Sequence, residues 1–465
     1  MRLLVVGAGP AGVSAALHAR ELGAAVTLVE ARQVGGTSVN EGPAPVRTLA
    51  RAARLVRDAR SWDTFGLRGE APEVDVAAVL ANAERVARYA HEHKRMADVL
   101  RGQGIDLIDE AGPARFSDPH TVRLEDGRTA NGDAVVIAVG GHAGRLRVAG
   151  AELALTYGDV RTLERLPASV AIVGGADTGC QLASIFADFG AAVTLIEAAP
   201  RLLPRADEDI SSGLADAFRR RGISLLLDTQ VRRLERTPAG IAVHTDGVLD
   251  VEAVFFAVGW PSNADTLDVE NAGLALDRGY LPVGDDLRTA VPHIFAAGDV
   301  NGISMLVPSA MHEGRLAADN AVLGTRRRFA HDVVPTGSFT DPEYGSIGLT
   351  ESEARARYEC EVGVVRYEDL LRPVADGRPD GFCKLIVESR RRYVLGAHVL
   401  GEYSAEVIQM VAACMAANLR VEQIAELQLA FPTFTEAVGT AAQLVVHRLG
   451  IAPAAPSWNT LLPPS

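Results

Sequence analysis

Two stretches of the chain can be laid over one another, and this internal repeat limits the possible folds more than any other feature. Leu3 to Glu30 reads LLVVGAGPAGVSAALHARELGAAVTLVE, and Val170 to Glu197 reads VAIVGGADTGCQLASIFADFGAAVTLIE. In each, an apolar run rich in β-branched residues precedes a glycine turn. A stretch with helical periodicity follows, and GAAVTL then leads into a second run that ends in glutamate. The first glycine and that glutamate are 23 residues apart in both copies. Each copy predicts a βαβ unit, so the expected class is α/β with two Rossmann-like domains.

The residue types at these positions suit one task. Gly7 makes a tight turn, Gly9 lets the backbone approach a pyrophosphate, and Gly12 allows close packing of helix on strand. The helix opening at Pro10 and Ala11 points its free N–H groups at the phosphates, while Glu30, followed by Ala31, accepts hydrogen bonds from a ribose. The second copy offers Gly174, Gly179 and Glu197, with Ala176 at the middle position and Asp177 and Thr178 opening the helix. Two dinucleotide sites are predicted. Glu197 would repel a 2′-phosphate, and Ala198 and Ala199 bring no arginine to receive one, so NADH is expected over NADPH at the second site. Arg201 keeps NADPH open as the alternative.

A chain of 465 residues, 48% of them hydrophobic, is long enough for two to four domains. The formal charge of −13, with basic residues clustered only in short Arg runs, argues against a nucleic-acid partner. No apolar run reaches the roughly 18 to 20 residues of a membrane span, and the first residues pass directly into the glycine turn, so no membrane partner and a cytoplasmic location are expected. Cys180, Cys360, Cys383 and Cys414 lack the spacing of a disulfide framework or a metal site, and buried free thiols are expected. Lys94 and Lys384 are the two lysines of the chain.

Further motifs lie between and beyond the repeats: GGTSVNEGPAPVR (Gly35 to Arg47), GPARF (Gly112 to Phe116), VVIAVGG (Val135 to Gly141), FFAVGWPSN (Phe255 to Asn263), IFAAGDV (Ile294 to Val300), FTDPEYGSIGLTESEA (Phe339 to Ala354) and FPTFTEAV (Phe431 to Val438). With the two glycine turns, they resemble the pyridine nucleotide–disulfide oxidoreductase family over nearly the whole length. The resemblance implies FAD at the first unit, NAD(P)H at the second, and the flavin ring between them. It brings Gly36 and Thr37 to the FAD site. It sets Ala114 and the turn Ala138, Val139, Gly140 on the adenine and pyrophosphate side of FAD. Asp299 would meet the ribityl chain, Met305 and Leu306 would lie along the isoalloxazine, and Val231 and Gly259 would contribute to cofactor binding.

The implied organisation is an FAD domain at 1–150 and 261–335, an NAD(P) domain at 151–260, a C-terminal α+β dimerisation domain at 336–450, and a Pro-rich tail at 451–465 that Trp458 could anchor. A homodimer is implied.

Against this family pattern, Ser38 and Pro43 stand where the relatives carry their redox cysteine pair, and neither can form a disulfide. Phe431 replaces the histidine of the C-terminal proton-shuttling pair, while Glu436 remains. Arg47 replaces a lysine expected near flavin N5, and Gln181 replaces the glutamate that lysine would pair with, leaving an uncompensated cation. Asp177 replaces an aromatic gate over the nicotinamide. Both glycine turns are intact, so the losses fall on the dithiol step alone. The leading expectation is an FAD-dependent oxidoreductase. It would pass hydride from NADH to the flavin and on to a non-disulfide acceptor, a quinone or dioxygen, at a surface formed by Ser38, Pro43, Pro45 and Phe431 of the partner subunit. NADH/NADP transhydrogenation and a non-catalytic flavin-binding redox sensor stay open as alternatives.

Overall fold

A computed structural model describes residues 1–70, 72–329 and 333–451, with the backbone alone at 43–45. The Pro-rich tail beyond 451, with Trp458, lies outside the described residues. The first repeat folds as β1 (Arg2–Val6), α1 (Pro10–Glu21) and β2 (Ala25–Val29), with the strands parallel and Arg2 opposite Ala25. The short α2 (Gly36–Asn40) and long α3 (Pro43–Ala59) carry the GGTSVNEGPAPVR loop, and α4 (Val76–Lys94) packs on α3. Then come α5 (Met96–Gly102), β3 (Asp106–Ile108), an antiparallel meander of β4 (Arg115–Asp118), β5 (Thr121–Arg123) and β6 (Thr129–Asn131), and β7 (Ala134–Ile137).

The second repeat supplies the middle of a separate sheet. Its elements are β8 (Leu155–Thr156), β9 (Ser169–Val173), α6 (Asp177–Asp188), β10 (Ala192–Ile196), α7 (Glu208–Arg220) and β11 (Ser224–Leu226). A second meander, β12 (Arg233–Thr237), β13 (Gly240–His244) and β14 (Val248–Val251), precedes β15 (Ala253–Phe256). The chain then returns to the first sheet as β16 (Ile294–Ala296) and crosses back over α1 as α8 (Val307–Val322). The parallel sheets have the orders β16-β7-β1-β2-β3 and β11-β10-β9-β15-β8. All four residues of β7 and of β15 are buried, as expected of parallel strands covered on both faces.

The remainder is an antiparallel sheet with helices packed on it. Its strands are β17 (Thr336–Ser338), β18 (Tyr344–Gly348), β19 (Cys360–Arg366), β20 (Phe382–Glu388) and β21 (Val394–Leu400), in the order β17-β18-β21-β20-β19. The helices are α9 (Glu351–Arg357), α10 (Leu371–Ala375), α11 (Ser404–Ala416), α12 (Val421–Ala425) and α13 (Glu436–Arg448).

Two polar clusters join the three sheets. Three arginines one turn apart, two on α3 and one just past its end, form the first: Arg54 bridges Glu343 at 2.6 Å and Glu402 at 2.9 Å, Arg57 pairs with Asp341, and Arg60 donates to the Asp188 carbonyl at 2.7 Å. Arg221 of the second sheet closes the cluster on Asp188 at 2.5 Å and Asp341 at 3.4 Å. Burial would raise the Asp341 carboxyl, but Arg57, Arg221 and Arg378 outweigh it and hold the group below the ordinary range. In the second cluster Lys384 of β20, 2% exposed, bridges Asp207 at 2.7 Å, Asp209 at 2.6 Å and Glu351 at 2.8 Å. It ties the start of α7 to the antiparallel sheet.

Candidate functional site

The two glycine turns are near copies in three dimensions. Gly7 and Gly174 have φ of +101° and +108°, in the region that side-chain-bearing residues avoid. Their N–H groups donate to Val29 and Ile196 at 2.7 and 2.8 Å. A Cβ on Gly12 would fall 1.8 Å from the Gly7 carbonyl oxygen, and one on Gly179 the same 1.8 Å from that of Gly174. At the middle position, a Cβ on Gly9 would meet nothing nearer than Gly36 Cα at 3.8 Å, which explains why Ala176 serves equally well in the second copy.

Both glutamates are held alike. Glu30 accepts from the Ala8 N–H at 2.6 Å and the Arg32 N–H at 2.9 Å, and Glu197 from the Gly175 N–H at 2.5 Å and the Ala199 N–H at 2.8 Å. Each carboxylate is fixed beside its turn and still has acceptor capacity for ribose hydroxyls. Arg201 Nη2 is taken by its own loop, donating to the Pro204 and Ala206 carbonyls at 2.8 and 3.2 Å, while its buried Nη1 has no hydrogen-bond partner among the described residues. Val231 is buried in the core beneath β10, and Gly259 has φ +113°.

The residues around the first turn fit a dinucleotide. The start of α1 has no side-chain cap and no acidic residue in its first turn, so its donors are not neutralised from within. Gly36 approaches Gly9 so closely that a Cβ there would lie 2.8 Å from Gly9 Cα, which brings Thr37 to the same turn. The backbone runs alongside Glu30 and Ala31 through Ala111 and Gly112, whose N–H groups donate to them at 2.9 and 3.1 Å, and this sets the buried Ala114 nearby. Asn263 fixes the Ala138 to Gly140 turn, donating from Nδ2 to Val139 O at 2.9 Å.

Asp299 accepts from Trp260 Nε1 at 2.8 Å, and burial raises its carboxyl against that bond. Beneath it, the fully buried Glu313 accepts from the Gly298 N–H at 2.7 Å and Asn301 Nδ2 at 2.8 Å, leaving Oε1 without a partner. Sequence reading missed both Trp260 and Glu313, although each sits inside or next to a motif. Met305 is exposed and Leu306 partly so, just ahead of α8.

In the loop, Ser38 Oγ donates to the Gly35 carbonyl at 3.0 Å, and the side chains of Pro43 and Pro45 lie outside the described residues. Each of the four cysteines is free, and burial pushes every one of their thiols up, Cys383 to about 12. None has the electropositive surroundings that make a thiolate.

Arg47 is not without carboxylate neighbours, although burial outweighs them and lowers its pKa. Its guanidinium lies over the Phe339 ring, with Glu343 and Glu406 as electrostatic neighbours. Gln181 turns away, donating to the Asp177 carbonyl at 3.3 Å. Asp177 is not isolated either, because its carboxylate accepts a hydrogen bond from the hydroxyl of Tyr344. Tyr344 thus reaches Asp177 from β18, a link between residues 167 apart that no local signal could reveal.

Residues 1–314 match the family model described as pyridine nucleotide-disulphide oxidoreductase, and residues 334–442 match the dimerisation domain of the same family. The chain belongs to this family. Members use FAD and NAD(P)H. Dihydrolipoyl dehydrogenase 2 of Haloarcula marismortui is 32% identical over 458 residues, 95% of each chain. Soluble pyridine nucleotide transhydrogenase of Mycobacterium tuberculosis is 31% identical, covering 96% of this chain and 97% of its own. Among solved structures, the HOCl-induced flavoprotein disulfide reductase RclA from Escherichia coli superposes with a TM-score of 0.85 at 27% identity, covering 96% of this chain and all of its own. LpdA from Mycobacterium tuberculosis does so with a TM-score of 0.87 at 25% identity, over 96% and 99% of the two chains. No described helix is long and apolar enough to cross a membrane.

In the dimerisation domain, Phe431 is 53% exposed while Glu436, the first residue of α13, is 2% exposed, and the neighbouring Thr433 backbone N–H only partly offsets the burial of its carboxylate. Burial raises the Glu436 carboxyl to about 7. A raised acid favours folding in its protonated form, so this contribution is full below the ordinary glutamate pKa, declines as pH rises from there to about 7, and is absent above. Glu436→Gln is expected to match the wild type near pH 4 and to exceed it in stability by on the order of 2 kcal/mol at pH 8, measured by urea unfolding. Parallel pH profiles for the two proteins would contradict this.

Proposed function

We propose that the chain is an FAD-dependent NADH oxidoreductase whose electrons leave for an acceptor other than a disulfide, a quinone first and dioxygen second. The observation that carries the reading is the sulfur-free loop. Ser38 stands at a redox-cysteine position with its hydroxyl spent on Gly35, Pro43 stands at the other, and the four remaining thiols are held protonated elsewhere. Bound FAD supplies the two-electron carrier, so an acceptor that stacks on it needs no nucleophile from the protein.

The roles of the chain's own residues follow. Gly7, Gly9, Pro10, Ala11, Gly12, Gly36 and Thr37 cradle the FAD pyrophosphate, Glu30 and Ala31 its adenosine, and Asp299 its ribityl chain. The turn at Gly174 to Gly179, with Glu197, holds the nicotinamide nucleotide. Ser38, Pro43, Gln181 and Arg47 border the acceptor side, together with Phe431 and Glu436 from the dimerisation domain of a homodimer. The FAD domain takes residues 1–150 and 261–335, the NAD(P) domain 151–260, and the dimerisation domain 336–450.

The test is anaerobic stopped-flow reduction of the purified protein with NADH, followed by mixing with a quinone, oxygen, lipoamide, glutathione disulfide or NADP⁺. Rapid flavin reduction, reoxidation by quinone and the absence of a thiolate-to-flavin charge-transfer band are expected. Fast turnover of either disulfide would overturn the reading. Similarity to the transhydrogenase favours a second one, hydride exchange between NADH and NADP⁺. Glu197, fixed beside its turn, opposes it by repelling a 2′-phosphate. Glu197→Ala is expected to reduce the preference for NADH over NADPH by about tenfold, the worth of a charged hydrogen bond, as read from dissociation constants. An unchanged preference would show that Glu197 does not contact the ribose.

A further inference from the structure

We propose that Tyr344 is a positioning residue for the second nucleotide site: its hydroxyl holds the Asp177 carboxylate to one side of the α6 N-terminus, so that the backbone donors there stay open to the pyrophosphate of the nicotinamide nucleotide. The proposal rests on assigning the second glycine turn to that nucleotide and is independent of the electron acceptor.

The first turns of α4, α7 and α9 are capped by the side chains of Asp75, Asp207 and Thr350. α1 and α6, like α3, α8, α11 and α13, have no side-chain cap, so the first donors of the two glycine-turn helices are open to a phosphate. The two differ in one respect: α1 has no acidic residue in its first turn, and α6 has Asp177 as its first residue. A carboxylate there is drawn to the positive end of the helix. Turned onto the free N–H groups, it would take the donors that the pyrophosphate needs and repel the phosphate charges.

What prevents this comes from another sheet. Asp177 is exposed, and Gln181 of its own helix binds only its carbonyl. The Tyr344 hydroxyl donates to Asp177 Oδ1. Tyr344 cannot follow the carboxylate if it moves, since it is 3% exposed and packs in the core with Cys180 and Phe186. Its strand is paired on both sides, Tyr344 lying opposite Ser338 and Leu400. The preceding segment is tied to α6 through the Asp341 N–H, which donates to Ser184 Oγ at 3.0 Å. A buried hydroxyl also needs a partner, and Asp177 provides it. The phenol is therefore the fixed point and the carboxylate the group being held.

The experiment is calorimetric titration of the FAD-loaded protein with NAD⁺ and, separately, with ADP-ribose, which carries the pyrophosphate but no nicotinamide. Wild type, Tyr344→Phe, Asp177→Asn and the double variant are compared, with bound-flavin absorbance confirming that each is folded. Tyr344→Phe is expected to weaken both ligands about tenfold. In the double variant, affinity should return to that of Asp177→Asn, because the anion that needed holding is gone. The proposal fails if Tyr344→Phe binds both ligands as the wild type does, or if the double variant stays as weak as Tyr344→Phe. It fails equally if NAD⁺ alone is affected, since the pair would then act at the nicotinamide. Wild-type protein that binds neither ligand would overturn the site assignment itself.

Discussion

Gly179→Ala is expected to leave the protein yellow and folded while weakening NADH at least a hundredfold, and Gly12→Ala to yield protein that is nearly colourless. In each case the added Cβ would sit 1.8 Å from a main-chain oxygen, Gly174 O or Gly7 O, which no rotamer change can relieve. The helix start must retreat from its strand, and overpacking of this kind costs about 1 to 3 kcal/mol or more. The retreat also withdraws the N–H groups that face the phosphates, so binding suffers more than folding does. The duplicated geometry makes the two substitutions controls for each other. Bound flavin is read from visible absorption and nucleotide affinity by calorimetry. Should Gly179→Ala bind NADH normally, the second turn would not be the nicotinamide site.

Lys384→Met is expected to be the most damaging single change to stability. The lysine is 2% exposed among Asp207, Asp209 and Glu351, and removing it leaves three acids facing one another with the buried Asp207 deprived of its lysine partner. Burial opposes the charge on Lys384, yet its bonds to Asp207, Asp209 and Glu351 outweigh this and raise its pKa. Breaking such a cluster on one side costs about 3 to 5 kcal/mol. For a chain of 465 residues that corresponds to a fall in melting temperature of roughly 3 to 5 °C. Glu351→Gln should cost less, because two carboxylates remain on the lysine.

The cluster also has a pH signature. Burial would raise the Asp207 carboxyl, but His398, the Glu351 N–H and Lys384 together lower it. A depressed acid stabilises the fold above its unfolded pKa, and this is lost as pH falls below about 4. The wild type should lose stability through that range and Lys384→Met should lose less. Melting of Lys384→Met within a degree of the wild type at neutral pH would show that the cluster is decorative.

Much of this architecture was legible because a βαβ unit is local. Its glycines, helix and terminal glutamate lie within 28 consecutive residues, and the same physics written twice in one chain removes the ambiguity of a single glycine motif. Contacts made across the fold were not legible in this way. The expectation of a sulfur-free loop rests on the identities of Ser38 and Pro43 alone, and nothing near Arg47 tells that its guanidinium faces Phe339, nor does anything near Asp177 name Tyr344. Trp260 and Glu313 were passed over because each acts through a main-chain turn or a neighbouring carboxylate whose position depends on the return of β16 to the first sheet. Sequence periodicity carries the elements; the partners of polar side chains depend on how the sheets are assembled.

The burial of Lys384 has a practical consequence. Of the two lysines in the chain, Lys94 alone projects into solvent, at the end of α4, so amine-reactive dyes will address one side chain besides the α-amino group at Met1. A fluorophore on Lys94 can therefore serve as the donor for energy transfer to the flavin, reporting cofactor loading without any engineered cysteine.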